Sequence, residues 1–139
     1  MTTIEEALEG STPLAEKVRA GGPYRSADEL IAQMRAVLAA LTEEEKVATL
    51  NAHPRIGDDP RRLSARSLEE QGADHLPELS MLNAEYERRF GFRFVVFVNR
   101  RPKAEIVKVL QTRLRRSREV EMEEGLGAIV DIAADRLRS

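Results

Sequence analysis

The sequence predicts an all-α fold: one domain over residues 1–139, a bundle of about six to seven helices with little or no sheet. Three observations carry this. Apolar residues recur at three- and four-residue spacing along most of the chain. Hydroxyl residues stand three positions before glutamates where those patterns begin. The one β-like run, Phe92 to Val98, has no second run to pair with.

The elements follow in order. Ile4 to Leu8 opens an apolar pattern that Leu14 and Val18 continue after Ser11-Thr12-Pro13. Gly21-Gly22-Pro23 breaks it. Ser26 and Glu29 form a capping-box pair, and Leu30, Ile31, Met34, Val37, Leu38 and Leu41 follow at helical spacing. Thr42 and Glu45 start a further helix with Val47 and Leu50 inward. It stops before Pro54, because proline disfavours helical geometry in the residue preceding it. Asn51 to Leu63 reads as a loop, with short helices around Ser67–Ala73 and Glu78–Phe90 and Gly91 as a C-cap. Leu79, Leu82, Tyr86 and Phe90 share one side of the second. Without a partner strand, Phe92 to Val98 is better read as a buried connector. Pro102 suits a first helical turn, with Ile106, Val107, Leu110 and Leu114 beyond it. A last helix runs from about Ser117 or Glu119 to the C-terminus, with Met122, Leu126, Ile129, Ile132, Ala133 and Leu137 apolar.

Composition removes whole classes of function. With 42% hydrophobic and 33% charged residues the chain is globular in type, and 4% aromatics without Trp imply an aliphatic core. Basic residues number 22 against 24 acidic, so the basic footprint that nucleic acid requires is missing. The absence of cysteine excludes disulfides, thiolate metal sites, iron–sulfur clusters and a cysteine nucleophile. His53 and His75 are the two histidines, and neither reads as part of a metal site. No apolar run approaches the ~20 residues of a membrane span, and Met1 to Gly10 is no secretory signal. A cytoplasmic protein is expected.

Three places could carry chemistry. His53 is followed by Pro54, which fixes the backbone, and by Gly57, which permits a tight turn. An imidazole held there suits proton transfer, although the local pattern favours a histidine that simply caps helix carbonyls. Ser67-Leu68-Glu69-Glu70-Gln71 has the spacing of a capping box. It also offers a helix N-terminus, with Ser67 and Gln71, to an anionic ligand while Glu70 acts on a proton. The cap is the reading favoured by sequence. Arg136 falls between Ile129 and Ile132 in helical angle, on the apolar face. An inward guanidinium needs a partner, either a structural carboxylate, the commoner case, or one on a substrate. Arg113, Arg115, Arg116 and Arg118 form an interrupted basic run expected to be solvated.

These residues in this order also resemble a known family. His53-Pro54-x-x-Gly57, Ser67-x-x-Glu70-Gln71, Phe90-Gly91-Phe92-Arg93-Phe94-Val95-Val96 and Ile132-x-x-x-Arg136-Leu137 are similar to 2-oxo-4-hydroxy-4-carboxy-5-ureidoimidazoline (OHCU) decarboxylases, and Pro23-Tyr24-x-Ser26 resembles the opening of that family's second helix. The resemblance implies an all-helical homodimer that decarboxylates OHCU to (S)-allantoin in urate degradation without a cofactor. It implies His53 as catalytic acid/base and Glu70 close to the reaction. Pro54, Ser67, Leu68, Glu69 and Gln71 would contact substrate, Phe94, Val95, Val96, Phe97 and Val98 would supply pocket wall and backbone hydrogen bonds, and Arg136 would hold an anionic or carbonyl oxygen. The chain departs from the pattern at Arg55-Ile56, where Asp-Leu is common, and at Val98-Asn99. Two other functions compete: a non-catalytic helical adaptor using the Arg-rich stretch near Arg115, and decarboxylation of a related ureido or imidazoline acid.

Overall fold

A computed structural model describes residues 2–56, 64–65 and 77–138. Seven helices and no strand occur among the described residues. They are α1 (Ile4–Ala7), α2 (Pro13–Ala20), α3 (Ala27–Ala40), α4 (Glu43–Asn51), α5 (Pro77–Phe90), α6 (Lys103–Arg113) and α7 (Arg118–Arg138). The expected helix around Ser67–Ala73 and the loop from Gly57 to Leu63 lie outside the described residues.

Local chemistry sets the helix ends. Hydroxyls of Thr3, Thr12, Ser26 and Thr42 each accept from the backbone N–H three residues on, capping α1 to α4. The full reciprocal box forms at Thr42, where Glu45 accepts from the Thr42 N–H at 2.9 Å. At Ser26 only the half from Glu29 N–H to the serine hydroxyl forms, at 3.1 Å. Gly91 ends α5 with φ +82°, a left-handed conformation that spares its donor for the Glu87 carbonyl at 2.9 Å.

Helix α7 is the axis of the fold, packing against α1, α3 and α4, while α2 lies on α3 and α4 and α5 pairs with α6. The core is largely aliphatic, with Leu14, Leu50, Leu79, Ile106, Leu110 and Ile129 fully buried. Each such side chain contributes about 1.5–3 kcal/mol of transfer free energy. Four of the six aromatic residues depart from that picture by gathering in one knot. Tyr86 packs on Phe90, Phe92 and Phe94 with ring centroids 4.6, 6.1 and 5.3 Å apart. Phe92 and Phe94 belong to the β-like run, which is an irregular connector with Phe92, Phe94, Val95 and Val98 buried. Its β-branched and aromatic residues fill the core rather than pair in a sheet.

One expectation is corrected. Arg113 is not solvated: it is 3% exposed and donates to Glu121 Oε1 at 2.7 Å and to the Val95 carbonyl at 2.8 Å. Its guanidinium also lies 4.6 Å from the centre of the Phe94 ring. The signal was present in the sequence, because Arg113 continues the buried stripe of Ile106 and Leu110 at helical spacing.

Candidate active site

His53 follows the end of α4, its N–H donating to the Leu50 carbonyl at 3.3 Å. Four contacts fix that corner. The Arg93 guanidinium donates to the His53 carbonyl at 3.1 Å, and Asn51 Oδ1 accepts from the Arg93 N–H at 2.9 Å. Downstream, Asn83 of α5 donates to the Ile56 carbonyl at 2.7 Å, and Arg55 makes a two-pronged pair with Glu87 at 2.6 and 2.9 Å. Gly125 brings α4 close to α7: a Cβ there would stand 2.8 Å from Leu50 Cδ2. A small residue at this crossing lets the end of α4, and His53 with it, sit against α7.

The imidazole is buried, 4% exposed, and its Nε2 has no hydrogen-bond partner among the described residues. Burial depresses its pKa to about 4; the Glu9 carboxylate pulls upward and the Arg136 guanidinium downward. His53 is therefore neutral at pH 7, with a ring nitrogen available to exchange a proton. A plain carbonyl-capping role does not account for that nitrogen.

Arg136 comes from the last turn of α7 and is 2% exposed. Its Nη1 donates to the Glu6 carbonyl at 3.0 Å and its Nη2 to Glu9 Oε1 at 2.9 Å. The guanidinium thus takes up orphan carbonyl capacity at the C-terminal end of α1. Its structural carboxylate is Glu9, which sequence reasoning missed: 127 positions separate the two. Ser64 also donates to Glu9 Oε1, at 2.9 Å. One local sign was available, since Glu9-Gly10 follows an apolar stretch where a helix C-cap belongs. Glu9 has φ +59°, and Gly10 N–H donates to the Glu5 carbonyl at 2.7 Å, closing a Schellman-type turn. A left-handed conformation costs a non-glycine residue roughly 1–2 kcal/mol.

Of the residues singled out by sequence, His53 and Arg136 are thus brought together, and Pro54, next to His53 in the chain, is half-buried. Phe94 and Val95 are engaged with Arg113, as described above. Val96 and Phe97 line a separate cavity of about 440 Å³ with Asn99, Arg101, Val109 and Gly127; Val98 is buried, its carbonyl accepting from the Arg101 guanidinium at 3.0 Å. Ser67, Leu68, Glu69, Glu70, Gln71 and His75 lie outside the described residues. No trio of histidine and carboxylates able to hold a metal ion occurs among the described residues. No helix of the described residues is long and apolar enough to cross a membrane.

The fold and these two residues define a class: all-helical proteins built around a buried, neutral histidine within electrostatic reach of a held arginine. The OHCU decarboxylase family profile matches residues 1–138, and the chain belongs to that family. It is 31% identical over 140 residues to the 2-oxo-4-hydroxy-4-carboxy-5-ureidoimidazoline decarboxylase of Haloferax volcanii, covering 95% of the chain and 83% of that relative. It is 31% identical over 142 residues to the uric acid degradation bifunctional protein PucL of Bacillus subtilis, covering 97% of the chain. The chain spans 29% of that protein's length and 28% of a second bifunctional relative from Bacillus sp.. The crystal structure of OHCU decarboxylase in the presence of (S)-allantoin superposes with a TM-score of 0.78 at 23% identity, over 96% of this chain and 92% of that one, a likeness of fold.

Proposed function

We propose that this chain, acting as one domain over residues 1–139, decarboxylates OHCU to (S)-allantoin in urate degradation without a cofactor. The observation that carries the reading is the buried, unpartnered His53 Nε2 beside Arg136 in a chain matched to the family over residues 1–138.

The chemistry needs little from the protein. OHCU carries hydroxyl and carboxylate on one ring carbon, next to a carbon joined to nitrogen by a double bond. When the bond to carbon dioxide breaks, its electron pair forms a carbon–carbon double bond and displaces the C=N pair onto nitrogen, which takes a proton. The resulting enol loses its hydroxyl proton, and the neighbouring carbon gains one on a single face, giving one enantiomer of allantoin. The electron sink is in the substrate, so a positioned acid/base and a polar cradle suffice.

His53 is the proton-transfer group. Neutral at rest, it accepts a proton readily only when an anion enters, because the new negative charge raises its pKa. Arg136 holds an anionic or carbonyl oxygen, which requires its guanidinium to serve the substrate as well as Glu9. Glu70 orients the ureido and hydroxyl groups, and Ser67, Leu68, Glu69 and Gln71 bind the ring with Pro54. The family's habit supports a homodimer, and the metabolic character of the relatives supports a cytoplasmic location.

Freshly generated urate-oxidation intermediates test the proposal, followed by ultraviolet absorbance and circular dichroism. Faster loss of OHCU with a single-enantiomer allantoin signal is expected. Decay at the spontaneous rate, as an adaptor would leave it, overturns the reading. Related imidazoline acids run in parallel decide substrate identity.

A further inference from the structure

We propose that Glu9 is a positioning residue for the reaction: its carboxylate holds the Arg136 guanidinium in place beside His53, so that the arginine meets substrate in a fixed orientation. The inference rests on the decarboxylase reading above and adds a residue to its machinery.

Four observations converge on Glu9. Its backbone is left-handed, φ +59°, at a helix end where glycine would fit without strain. Gly10 follows at φ +105°, so the turn has two consecutive residues at positive φ and only the second is glycine. The strained position therefore retains a side chain, and that side chain is used: its Oε1 receives Arg136 Nη2 and Ser64 Oγ, both at 2.9 Å. The carboxylate is 11% exposed and the guanidinium 2%, so the pair is shielded from solvent. Finally, both members of the pair act electrostatically on the imidazole, Glu9 favouring its charged form and Arg136 opposing it. Observed strain at a residue whose side chain reaches a reactive group marks a functional constraint rather than a packing accident.

The geometry also says how Glu9 acts. The α1 carbonyl of Glu6 and the Glu9 carboxylate take different nitrogens of one guanidinium, Nη1 and Nη2. Two anchors on different nitrogens of a planar group set its plane, and the Ala7 carbonyl adds a longer contact to Nη1 at 3.5 Å.

A double-mutant cycle on the full chain tests this, using Glu9→Gln, Arg136→Lys and the double variant, with OHCU turnover as the readout. Glu9→Gln should raise KM by about tenfold or more, the size expected for one charge-assisted contact, with a smaller change in kcat. The double variant should be no slower than Arg136→Lys alone. Glu9→Asp keeps the charge and should recover much of the loss; it also stands in should Glu9→Gln not fold. A merely structural Glu9 would lower the melting temperature of Glu9→Gln while leaving the KM of the folded enzyme unchanged, and that result overturns the proposal. Losses that multiply in the double variant overturn it too, since Glu9 would then act other than through Arg136. If wild type fails to turn over OHCU, the decarboxylase reading falls instead. Guanidinium proton exchange by NMR, assigned against Arg136→Lys, then decides for Glu9: faster exchange in Glu9→Gln supports the clamp and unchanged exchange refutes it.

Discussion

Two arginines lie buried near opposite ends of α7, and their sites are built from the same parts. Arg113 pairs with Glu121 at 2.7 Å and donates to the Val95 carbonyl; Arg136 pairs with Glu9 at 2.9 Å and donates to the Glu6 carbonyl. Both guanidinium groups are almost wholly shielded from water. Their neighbours differ. Arg113 lies over Phe94, and its carboxylate accepts from the Tyr86 hydroxyl at 2.7 Å. Burial pushes that tyrosine far above its ordinary pKa, so its hydroxyl stays a donor. Arg136 instead lies within electrostatic reach of His53, which is neutral at pH 7 with an unpartnered nitrogen. A buried ion pair by itself is thus no sign of function in this chain. The proton-exchanging group beside it makes the difference.

The comparison breaks first at Glu121. Glu121→Ala leaves Arg113 charged and buried without its carboxylate, which costs about 3–5 kcal/mol. Urea unfolding should show that loss, while kcat per folded molecule stays near wild type. A large fall in kcat with unchanged stability would mean that the two sites had been assigned the wrong way round.

Acid sharpens it next. The folded pKa of His53, about 4, lies below its ordinary value, so the unfolded chain binds more protons between the two. Stability from keeping His53 neutral is complete above pH ~6.5 and is lost as pH falls through about 4, up to roughly 3 kcal/mol. His53→Gln should flatten that part of the stability–pH curve. An identical curve in the variant would show that His53 is not held neutral by burial.

The smallest effects come from two glycines of α7. Gly127 has nothing within 4 Å of a Cβ, so Gly127→Ala should stabilise by about 0.5–1 kcal/mol. Gly125→Ala meets Leu50 Cδ2 at 2.8 Å, and the overpacking cost of about 1–3 kcal/mol outweighs that gain. Thermal melts of both read the sign. Stabilisation by Gly125→Ala would remove the argument that close helix approach places His53.

Much of this was legible in the sequence because it is periodic or local. The helices follow from apolar spacing and hydroxyl caps, and Arg136 was read as inward from its helical angle alone. Arg113 has the same inward angle, yet its neighbourhood of arginines reads as a solvated run; its fate depended on Glu121 and on a carbonyl of the connector. The β-like composition of Phe92–Val98 reports burial rather than pairing, which the missing partner strand already implied. Glu9 was out of reach for a different reason. Its partner is 127 residues away, and no local pattern announces a contact between the two ends of a chain.

The most direct test of the account sets His53→Ala beside wild type in the OHCU assay, with circular dichroism and a thermal melt on the same samples. The account predicts a folded protein whose turnover falls by about 10²–10⁴-fold, the usual contribution of a positioned acid–base group. A folded His53→Ala that still forms (S)-allantoin at close to the wild-type rate would contradict it.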